Sequence, residues 1–332
     1  MHSPLIFSGN ANRPLAEEIA RHLGVTVGRA LVSTFKDGET QVDVADSVRE
    51  GDVFIIQPTC PPVNDHLMEL LLMMDAVRRA SAHRMTAVVP YFGYSRQEKR
   101  SKGREPISAK LVANLMATAG ADHLLTMDLT APAIEGFFDI PVDNLGAGRI
   151  LAEHCLKNFS HRDIVVVSPD VGGVERANKF RQMIGTQAQL AVVFKEHPKA
   201  EMIEILGMVG EVTGKTAVIV DDIISTGATL TKAAELLVKR GASKVYACAT
   251  HPVFAKGAIE RIHDSPIEKV IVTDSIPVPQ NQCGAKIKVA SVAPLLADAI
   301  TSIHEGRTMS DLYKKLKARP IKGRGAIDAL SR

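Results

Sequence analysis

The segment "VIVDDIISTGATL", residues 218–230, joins an apolar strand-like run, two adjacent carboxylates and a short loop of small and hydroxylated residues. The run ends at Asp221 and Asp222, and a helical pattern begins near Ala228. A strand that leads through a loop into a helix is the repeating unit of α/β proteins. Because parallel sheets bind ligands at the carboxyl ends of their strands, the two aspartates stand where a ligand is expected.

The chemistry of this loop favours a ligand that carries both a phosphate and hydroxyl groups. Backbone N–H groups at a helix start attract anions, and Ser and Thr hydroxyls add further donors. A ribose 5-phosphate moiety offers hydroxyls to Asp221 and Asp222 and a phosphate to the loop. The alternative is a solvated acidic pair followed by an ordinary helix cap. The predicted phosphate-binding residues are Ser225, Thr226, Gly227, Ala228 and Thr229.

The same strand–helix alternation occurs in both halves of the chain and predicts parallel sheets in an α/β fold. Predicted strands cover residues 52–57, 85–90, 122–129, 163–170, 215–222, 244–251 and 269–275, and predicted helices cover residues 64–82, 107–120, 173–184 and 228–241. We therefore expect two α/β domains of similar build, residues 1–146 and 147–306, followed by a basic C-terminal tail, residues 307–332.

Composition excludes several classes of protein. The chain has 332 residues, 45% of them hydrophobic and 23% charged, with a net charge of +3, which is too small to favour a nucleic-acid partner. Its four cysteines have no metal-type or redox spacing and are expected to be reduced thiols of a cytoplasmic protein. We expect no signal peptide, because the first residues lack a basic start followed by an apolar core. We expect no membrane span, because the longest apolar stretch is broken by charges and is too short.

Long segments of the chain resemble a known family. "VDDIISTGATL" resembles the phosphoribosyl-binding loop of type I phosphoribosyltransferases. Residues 33–40 ("STFKDGET"), 88–129, 136–145 ("GFFDIPVDNL") and 166–177 ("VVSPDVGGVERA") resemble the ribose-phosphate diphosphokinases, also called phosphoribosyl pyrophosphate synthetases. The resemblance extends over nearly the whole chain. It implies two similar type I phosphoribosyltransferase-like domains, each with a mainly parallel sheet flanked by helices.

The resemblance also implies a reaction. In this family ribose 5-phosphate and MgATP give 5-phosphoribosyl 1-diphosphate and AMP, when the anomeric hydroxyl of the sugar attacks the β-phosphorus. Mg²⁺ is the implied cofactor. The protein has to align two anionic substrates and stabilise the charge on the transferring phosphates.

Two segments are implied to bind ATP. Phe35, Asp37 and Glu39 would hold the adenine, partly across a subunit boundary. Without the resemblance, "FKDGE" would be interpreted as a surface turn. Arg96, Gln97 and Arg104 would contact the ATP phosphates, and the alternative for them is a solvated basic loop.

The metal-binding and catalytic positions include two departures from the family pattern. Asp170 would lie near the ribose and magnesium, and Thr130 stands where the family has a magnesium-binding histidine. Residues 192–199, "VVFKEHPK", correspond to a flexible catalytic loop that usually carries a lysine followed by arginines. Lys195 is the lysine, whereas Glu196 and His197 occupy the arginine positions. We expect Lys195 and His197 to be the catalytic residues.

Three functions agree with these patterns: an active diphosphokinase, which is favoured, a non-catalytic or regulatory subunit with the same ligands, and a phosphoribosyltransferase. The third fits poorly because those enzymes usually have one such domain. The resemblance further implies a homo-oligomer, a hexamer built from dimers. Thr308 and Ser310 would bind phosphate at an allosteric site, and the alternative for both is a helix cap.

Overall fold

The computed structural model describes residues 3–159, 163–185, 188–199, 202–319 and 321, without the side chains of residues 196–199, 202–206 and 317. The chain forms two units. The first contains Met1–Gly146, Ser275–Pro277 and Ser291–Ala318, and the second contains Ala147–Asp274, Val278–Ala290 and Arg319–Arg332. Residues 291–306 were expected in a C-terminal domain, whereas in the structure they belong to the first unit.

The first unit is built on a five-stranded sheet in which all strands are parallel. Its strands are β1 (Leu5–Ser8), β4 (Asp52–Ile56), β5 (Arg84–Val89), β6 (His123–Met127) and β7 (Val142–Leu145), in the order β1-β4-β5-β6-β7. A separate antiparallel hairpin consists of β2 (Ala30–Thr34) and β3 (Thr40–Val44). The helices are α1 (Arg13–Leu23), α2 (Val63–Arg79), α3 (Ser108–Ala119), α9 (Ala293–His304) and α10 (Met309–Ala318).

The second unit contains a seven-stranded sheet that is parallel except at one edge. Its strands are β8 (Ile164–Ser168), β9 (Gln189–Lys199), β10 (Met202–Val209), β11 (Thr216–Ile224), β12 (Lys244–Pro252), β13 (Lys269–Thr273) and β14 (Ile287–Ala290), in the order β10-β9-β8-β11-β12-β13-β14, with β10 antiparallel to β9. The helices are α4 (Gly148–Asn158), α5 (Val174–Ile184), α6 (Ala228–Lys239), α7 (Ala258–Asp264) and α8 (Gln280–Cys283).

Burial on both faces explains why the central strands of the second unit are continuously apolar. Ile219 packs in one hydrophobic cluster with Leu230 and Leu237 of α6. Val218 and Val220 point to the opposite face and pack in a second cluster, with residues of α4 and α5 such as Phe180. Parallel sheets covered by helices on both faces have this composition. The predicted α/β fold with helix-flanked, mainly parallel sheets is confirmed.

Three local differences from the sequence-based expectations concern the site. Strand β11 continues past the two aspartates to Ile224 instead of ending at them. The segment expected to be a flexible loop, residues 192–199, belongs to strand β9, because β10 pairs with it along its length. Part of the expected basic tail forms helix α10 of the first unit.

Candidate active site

Asp221 and Asp222 lie on the part of β11 that extends beyond its neighbour β8. Strand β8 pairs with β11 only as far as Ile219, whereas β12 pairs with it as far as Ile224. The two carboxylates therefore stand at the carboxyl edge of the sheet, beside an open strand position. Asp222 is 5% exposed and Asp221 is half-buried. Burial of two adjacent carboxylates is unfavourable unless cations or hydrogen-bond donors face them.

Arg176, in the first turns of α5, supplies such a cation. Its Nη1 donates to Asp221 Oδ1 at 2.9 Å, and its Nη2 lies 3.3 Å from Asp222 Oδ2. The second contact is an ion pair without hydrogen-bond geometry, so the buried Asp222 Oδ2 accepts no hydrogen bond from the described residues. One acceptor of the pair thus remains for a ligand hydroxyl or a cation.

The electrostatics of the acidic pair favour the arrival of a donor or a cation. Burial and the neighbouring Asp222 carboxylate raise the pKa of Asp221 well above its usual range, and Arg176 opposes this shift only in part. A ligand that donates hydrogen bonds or brings positive charge would stabilise the ionised pair. The observed arrangement therefore suits a sugar diol or a divalent ion.

Asp170 follows strand β8 and forms an ion pair with Lys195 of β9, whose Nζ lies 2.8 Å from Asp170 Oδ2. The backbone N–H of Gly173 donates to Asp170 Oδ1 at 2.9 Å and fixes the other oxygen. Burial raises the pKa of Asp170, but the hydrogen bond and positive charge of Lys195 outweigh it, so that the pKa lies below its ordinary value. The Lys195 side chain is only 15% exposed, so its ammonium group is held in place beside this carboxylate.

The loop after β11 has the backbone conformation that a tight strand-to-helix turn requires. Gly227 has φ of +74°, a left-handed conformation that favours glycine, and is the N-cap residue of α6. The predicted helix start at Ala228 is confirmed. Thr226 Oγ1 accepts a hydrogen bond from Ala228 N at 3.4 Å. Residues 225–229 thus form the turn and the first helical positions that were predicted to hold a phosphate.

The predicted adenine-binding residues lie in the turn of the β2–β3 hairpin in the first unit. Phe35 N donates to Glu39 O at 2.8 Å, and Glu39 N donates to Asp37 Oδ1 at 3.2 Å. The Phe35 side chain is 49% exposed, and both carboxylates are exposed. An exposed aromatic face beside two exposed carboxylates is available to a flat, amine-bearing ring.

Arg96, Gln97 and Arg104 all belong to the connection between β5 and α3, and all three are exposed. Gln97 is tied to the start of α3, since Ser108 Oγ donates to its Oε1 at 2.6 Å. Arg104 has φ of +66°, which is unusual for a residue with a side chain. The two guanidinium groups are therefore carried by an exposed loop of the first unit.

Thr130 contacts the same loop: its Oγ1 lies 3.1 Å from Ser95 Oγ. The described residues contain no group of three or more His, Cys, Asp or Glu side chains that is arranged to hold a metal ion. Asp170, the other predicted metal ligand, is engaged with Lys195. Any magnesium held near these positions would take most of its ligands from phosphates and water, as Mg²⁺ commonly does.

Four further positions from the sequence analysis lie on β9 and at the start of α10. Glu196 and His197 belong to β9, but their side chains lie outside the described part of the chain. Thr308 Oγ1 donates to Asp311 Oδ2 at 2.9 Å and accepts from Asp311 N, so Thr308 caps helix α10. Ser310 is exposed in the first turn of that helix.

Arg176, which contacts both aspartates in the structure, was not among the predicted site residues. The available signal was its position, six residues after Asp170 and in the first turns of the helix that follows a strand end. A cation there faces the carboxyl edge of the sheet, where the aspartates of the next strand along the sheet also lie.

The fold and this loop define an α/β protein whose candidate ligand site lies at the carboxyl edge of a mainly parallel sheet. A family model for the N-terminal domain of ribose phosphate pyrophosphokinase matches residues 4–120, and one for the phosphoribosyl synthetase-associated domain matches residues 186–314. The chain is 52% identical to the ribose-phosphate pyrophosphokinase of Caldanaerobacter subterraneus subsp. tengcongensis, over 93% of this chain and 97% of that one. It is 49% identical to that of Bacillus caldolyticus, over 94% and 98%.

A solved structure agrees with these sequence relatives. The phosphoribosylpyrophosphate synthetase of Mycobacterium smegmatis superposes with a TM-score of 0.86 at 39% identity, covering 92% of this chain and all of that one. The chain belongs to the ribose-phosphate pyrophosphokinase family. The predicted family membership is confirmed. None of the helices in the described ranges combines the length and apolar character needed to cross a bilayer.

Proposed function

We propose that the chain transfers the diphosphoryl group of ATP to the anomeric hydroxyl of ribose 5-phosphate, giving 5-phosphoribosyl 1-diphosphate and AMP. The observation that carries this proposal is the acidic pair on β11 followed by the Gly227 turn at the start of α6, in a chain of this family. That arrangement offers acceptors for sugar hydroxyls and donors for a phosphate within one short segment.

On the sugar side, Asp221 and Asp222 accept hydrogen bonds from the ribose hydroxyls, and residues 225–229 bind the 5-phosphate. Support comes from the unsatisfied Asp222 Oδ2 and from the position of the loop at a helix N-terminus. Arg176 keeps the two carboxylates oriented before the sugar binds, since it contacts both. The pair then fixes the sugar so that its anomeric hydroxyl is oriented for attack.

On the nucleotide side, Phe35 stacks on the adenine, and Asp37 and Glu39 accept hydrogen bonds from its exocyclic amine. Arg96, Gln97 and Arg104 contact the phosphates, because an exposed loop with two guanidinium groups suits an anion of high charge. In the transfer, the anomeric oxygen forms a bond to the β-phosphorus as the bond to the oxygen shared with the α-phosphate breaks. AMP leaves, and the hydroxyl proton is released.

Lys195 is proposed to stabilise the negative charge of the transferring group, with His197 on the same strand. The support for Lys195 is its placement: a nearly buried ammonium beside Asp170, at the edge of the sheet where the acidic pair lies. A cation so placed contributes most when charge develops in the transition state.

Mg²⁺ is the proposed cofactor, and the residues present fit it. The carboxylates of Asp170, Asp221 and Asp222 carry one more charge than the two cationic side chains that contact them, Arg176 and Lys195, so the charge balance favours a further cation, although the three are not arranged as a complete set of metal ligands. In the family resemblance, Asp170 would help to hold magnesium near the ribose, and Thr130 occupies the position of a ligand to the magnesium that ATP carries; each would leave most of the coordination to phosphates and water. When bound, Mg²⁺ neutralises phosphate charge and helps to align the phosphates.

Other properties are proposed on the family resemblance and on composition. They are a homo-oligomer built from dimers, a cytoplasmic location and the absence of nucleic-acid and membrane partners. The free thiols of Cys60, Cys155, Cys248 and Cys283 agree with a reducing compartment. A phosphate-binding role for Thr308 and Ser310 remains a prediction, and Thr308 serves as a helix cap in the structure.

An AMP-release assay tests the function. Purified protein is mixed with ATP, Mg²⁺ and ribose 5-phosphate, and a control omits the sugar. We expect sugar-dependent AMP in a one-to-one ratio with phosphoribosyl diphosphate. If both substrates bind but no AMP forms, the chain is a non-catalytic homologue and the proposal is wrong.

A further inference from the structure

We propose that Arg261 is a positioning residue that orients the loop of residues 225–229 for the 5-phosphate. This inference rests on the proposed sugar-binding role of that loop. The Arg261 side chain belongs to α7, and its Nη1 donates a hydrogen bond to the backbone carbonyl of Thr226. It therefore acts on the loop through the backbone and has no assigned contact with a substrate.

Arg261 completes a series of bonds to consecutive carbonyl groups. Phe254 N donates to Ile224 O at 3.0 Å, and Ala255 N donates to Ser225 O at 3.0 Å. The carbonyl of Thr226 then accepts from Arg261. The next carbonyl, that of Gly227, accepts from Thr231 N at 3.0 Å in the first turn of α6. Four successive carbonyls of the loop are thus bound to donors of the protein.

This pattern has a direct consequence for anion binding. In a planar trans peptide, the carbonyl of one residue and the N–H of the next point in opposite directions. When the segment 254–261 holds the carbonyls of residues 224–226, the N–H groups of Ser225, Thr226 and Gly227 point away from that segment. An anion that approaches the loop from the side opposite segment 254–261 therefore meets N–H donors. If one of these peptides were inverted, it would present a carbonyl oxygen, which repels an anion.

The Thr226–Gly227 peptide is the one that most needs an external constraint. Gly227 has no Cβ and its left-handed φ of +74° lies at the junction between strand and helix, where peptide inversion is sterically easy. The peptides on either side are held by backbone bonds, from Ala255 N and from Thr231 N. Only the Thr226 carbonyl depends on a side chain, and that side chain is Arg261.

The test compares Arg261→Gln, Arg261→Lys and a matched control, Arg240→Gln. Arg240 is an exposed arginine at the other end of α6, in the same unit. Calorimetry measures the affinity of each full-length variant for ribose 5-phosphate and, separately, for ATP. We expect Arg261→Gln to weaken ribose 5-phosphate binding about tenfold, as loss of a charge-assisted hydrogen bond would do, with ATP affinity unchanged. Arg261→Lys retains a donor and should recover part of the loss, and Arg240→Gln should match the unmodified protein.

Steady-state kinetics provides a second readout. The KM for ribose 5-phosphate should rise in parallel with the dissociation constant while kcat stays within about twofold, since the ground state and transition state both keep the 5-phosphate bound. Equal affinity for ribose 5-phosphate in Arg261→Gln and Arg240→Gln would overturn the inference. So would equal losses for ATP and sugar together with a lowered melting temperature, which would indicate a structural role.

The failure of the inference is distinguishable from failure of the proposed function. Ribose 5-phosphate binding that depends on Arg261, without AMP release by the unmodified protein, would refute the function and support the positioning role. AMP release that is unaffected by Arg261→Gln at limiting sugar would support the function and refute the positioning role. If the unmodified protein does not bind ribose 5-phosphate, both are wrong.

Discussion

Lys195 Nζ lies 2.8 Å from Asp170 Oδ2. The carboxylate of Asp170 thus holds the ammonium group of Lys195, the proposed catalytic cation, in place. Lys195 stands on β9, and Asp170 follows β8, two strands that are parallel neighbours in the sheet. The ion pair thus joins the loop after β8 to the part of β9 that extends beyond β8. It gives the lysine a defined location before any substrate is present, which is what transition-state stabilisation by a preorganised charge requires.

Replacing Lys195 with alanine should lower kcat far more than it changes substrate affinity. The expected decrease in kcat is on the order of 10³ if the lysine interacts with the transferring group mainly in the transition state. Steady-state kinetics with both substrates varied measures the division between kcat and KM. The matched control is Lys179→Ala, because Lys179 forms an exposed ion pair with Glu175 on the outer part of α5. Equal changes in kcat and in both KM values would contradict the role of Lys195.

Replacing both Asp221 and Asp222 with asparagine should abolish ribose 5-phosphate binding. The amides keep the shape of the side chains but remove the two charges that accept hydrogen bonds from hydroxyl groups and attract cations. Arg176 would also lose its ion-pair partners. Calorimetry should show no ribose 5-phosphate binding, with ATP binding as the control for a folded protein. Unchanged sugar affinity would rule out this pair as the ribose site.

Many of the strands are predictable because each buried strand is a continuous apolar run in the sequence. The predicted strand over residues 244–251 is observed as Lys244–Pro252, and the predicted helix over 107–120 as Ser108–Ala119. The β2–β3 hairpin was not predicted as strands, since its partly exposed residues lack a continuous apolar run. Helix α9 was also missed as part of the first unit. Its place there depends on packing with α1, which lies far away in sequence.

The sequence indicates individual residues of the candidate site, but not which of them pair with each other. Asp221 and Asp222 are marked by their position after an apolar run, and Lys195 and Asp170 by the family resemblance. Their partners depend on which strands are neighbours in the sheet, and this order differs from the order in the chain. Arg176 lies 45 positions from Asp221, so its position after a strand end places it at the carboxyl edge but does not reveal its partner.

Replacing Phe35 with alanine should weaken ATP binding without destabilising the protein. Its ring is 49% exposed, so folding gains little from it, whereas a stacked adenine would bury its face. We expect the KM for ATP to rise about tenfold on the usual scale of aromatic stacking, with the melting temperature unchanged.

The matched control for Phe35 is Leu31→Ala. Leu31 is an equally exposed apolar residue on strand β2 of the same hairpin, at 53% exposure. It lies outside the turn that carries Asp37 and Glu39, so its loss should leave the KM for ATP unchanged. If both variants change ATP binding equally, the hairpin contributes general apolar contact and the specific stacking role is wrong.

Asp52 should make the stability of the protein depend on pH in the acid range. Its Oδ1 accepts from Arg84 Nε at 2.8 Å, and its Oδ2 lies 2.7 Å from His304 Nδ1. Burial raises the pKa of Asp52, but the hydrogen bonds and charges of Arg84 and His304 outweigh it, so that the folded-state pKa lies below the ordinary value of 3.8. The unfolded chain therefore binds a proton at a higher pH than the folded protein does.

The stabilising contribution of the Asp52 carboxylate is complete above its unfolded pKa and is lost as the pH falls through the lower folded pKa. In urea unfolding below about pH 4, the free energy of unfolding should thus decrease as the pH falls. Asp52 should contribute at most about 1.4 kcal/mol per pH unit to this slope. In Asp52→Asn this part of the slope should disappear. Asp75→Asn, which removes an exposed ion pair with Arg79 on α2, should retain it, because exposed pairs contribute little to stability. A slope in Asp52→Asn as steep as that of the unmodified protein would mean that other carboxylates account for the acid sensitivity.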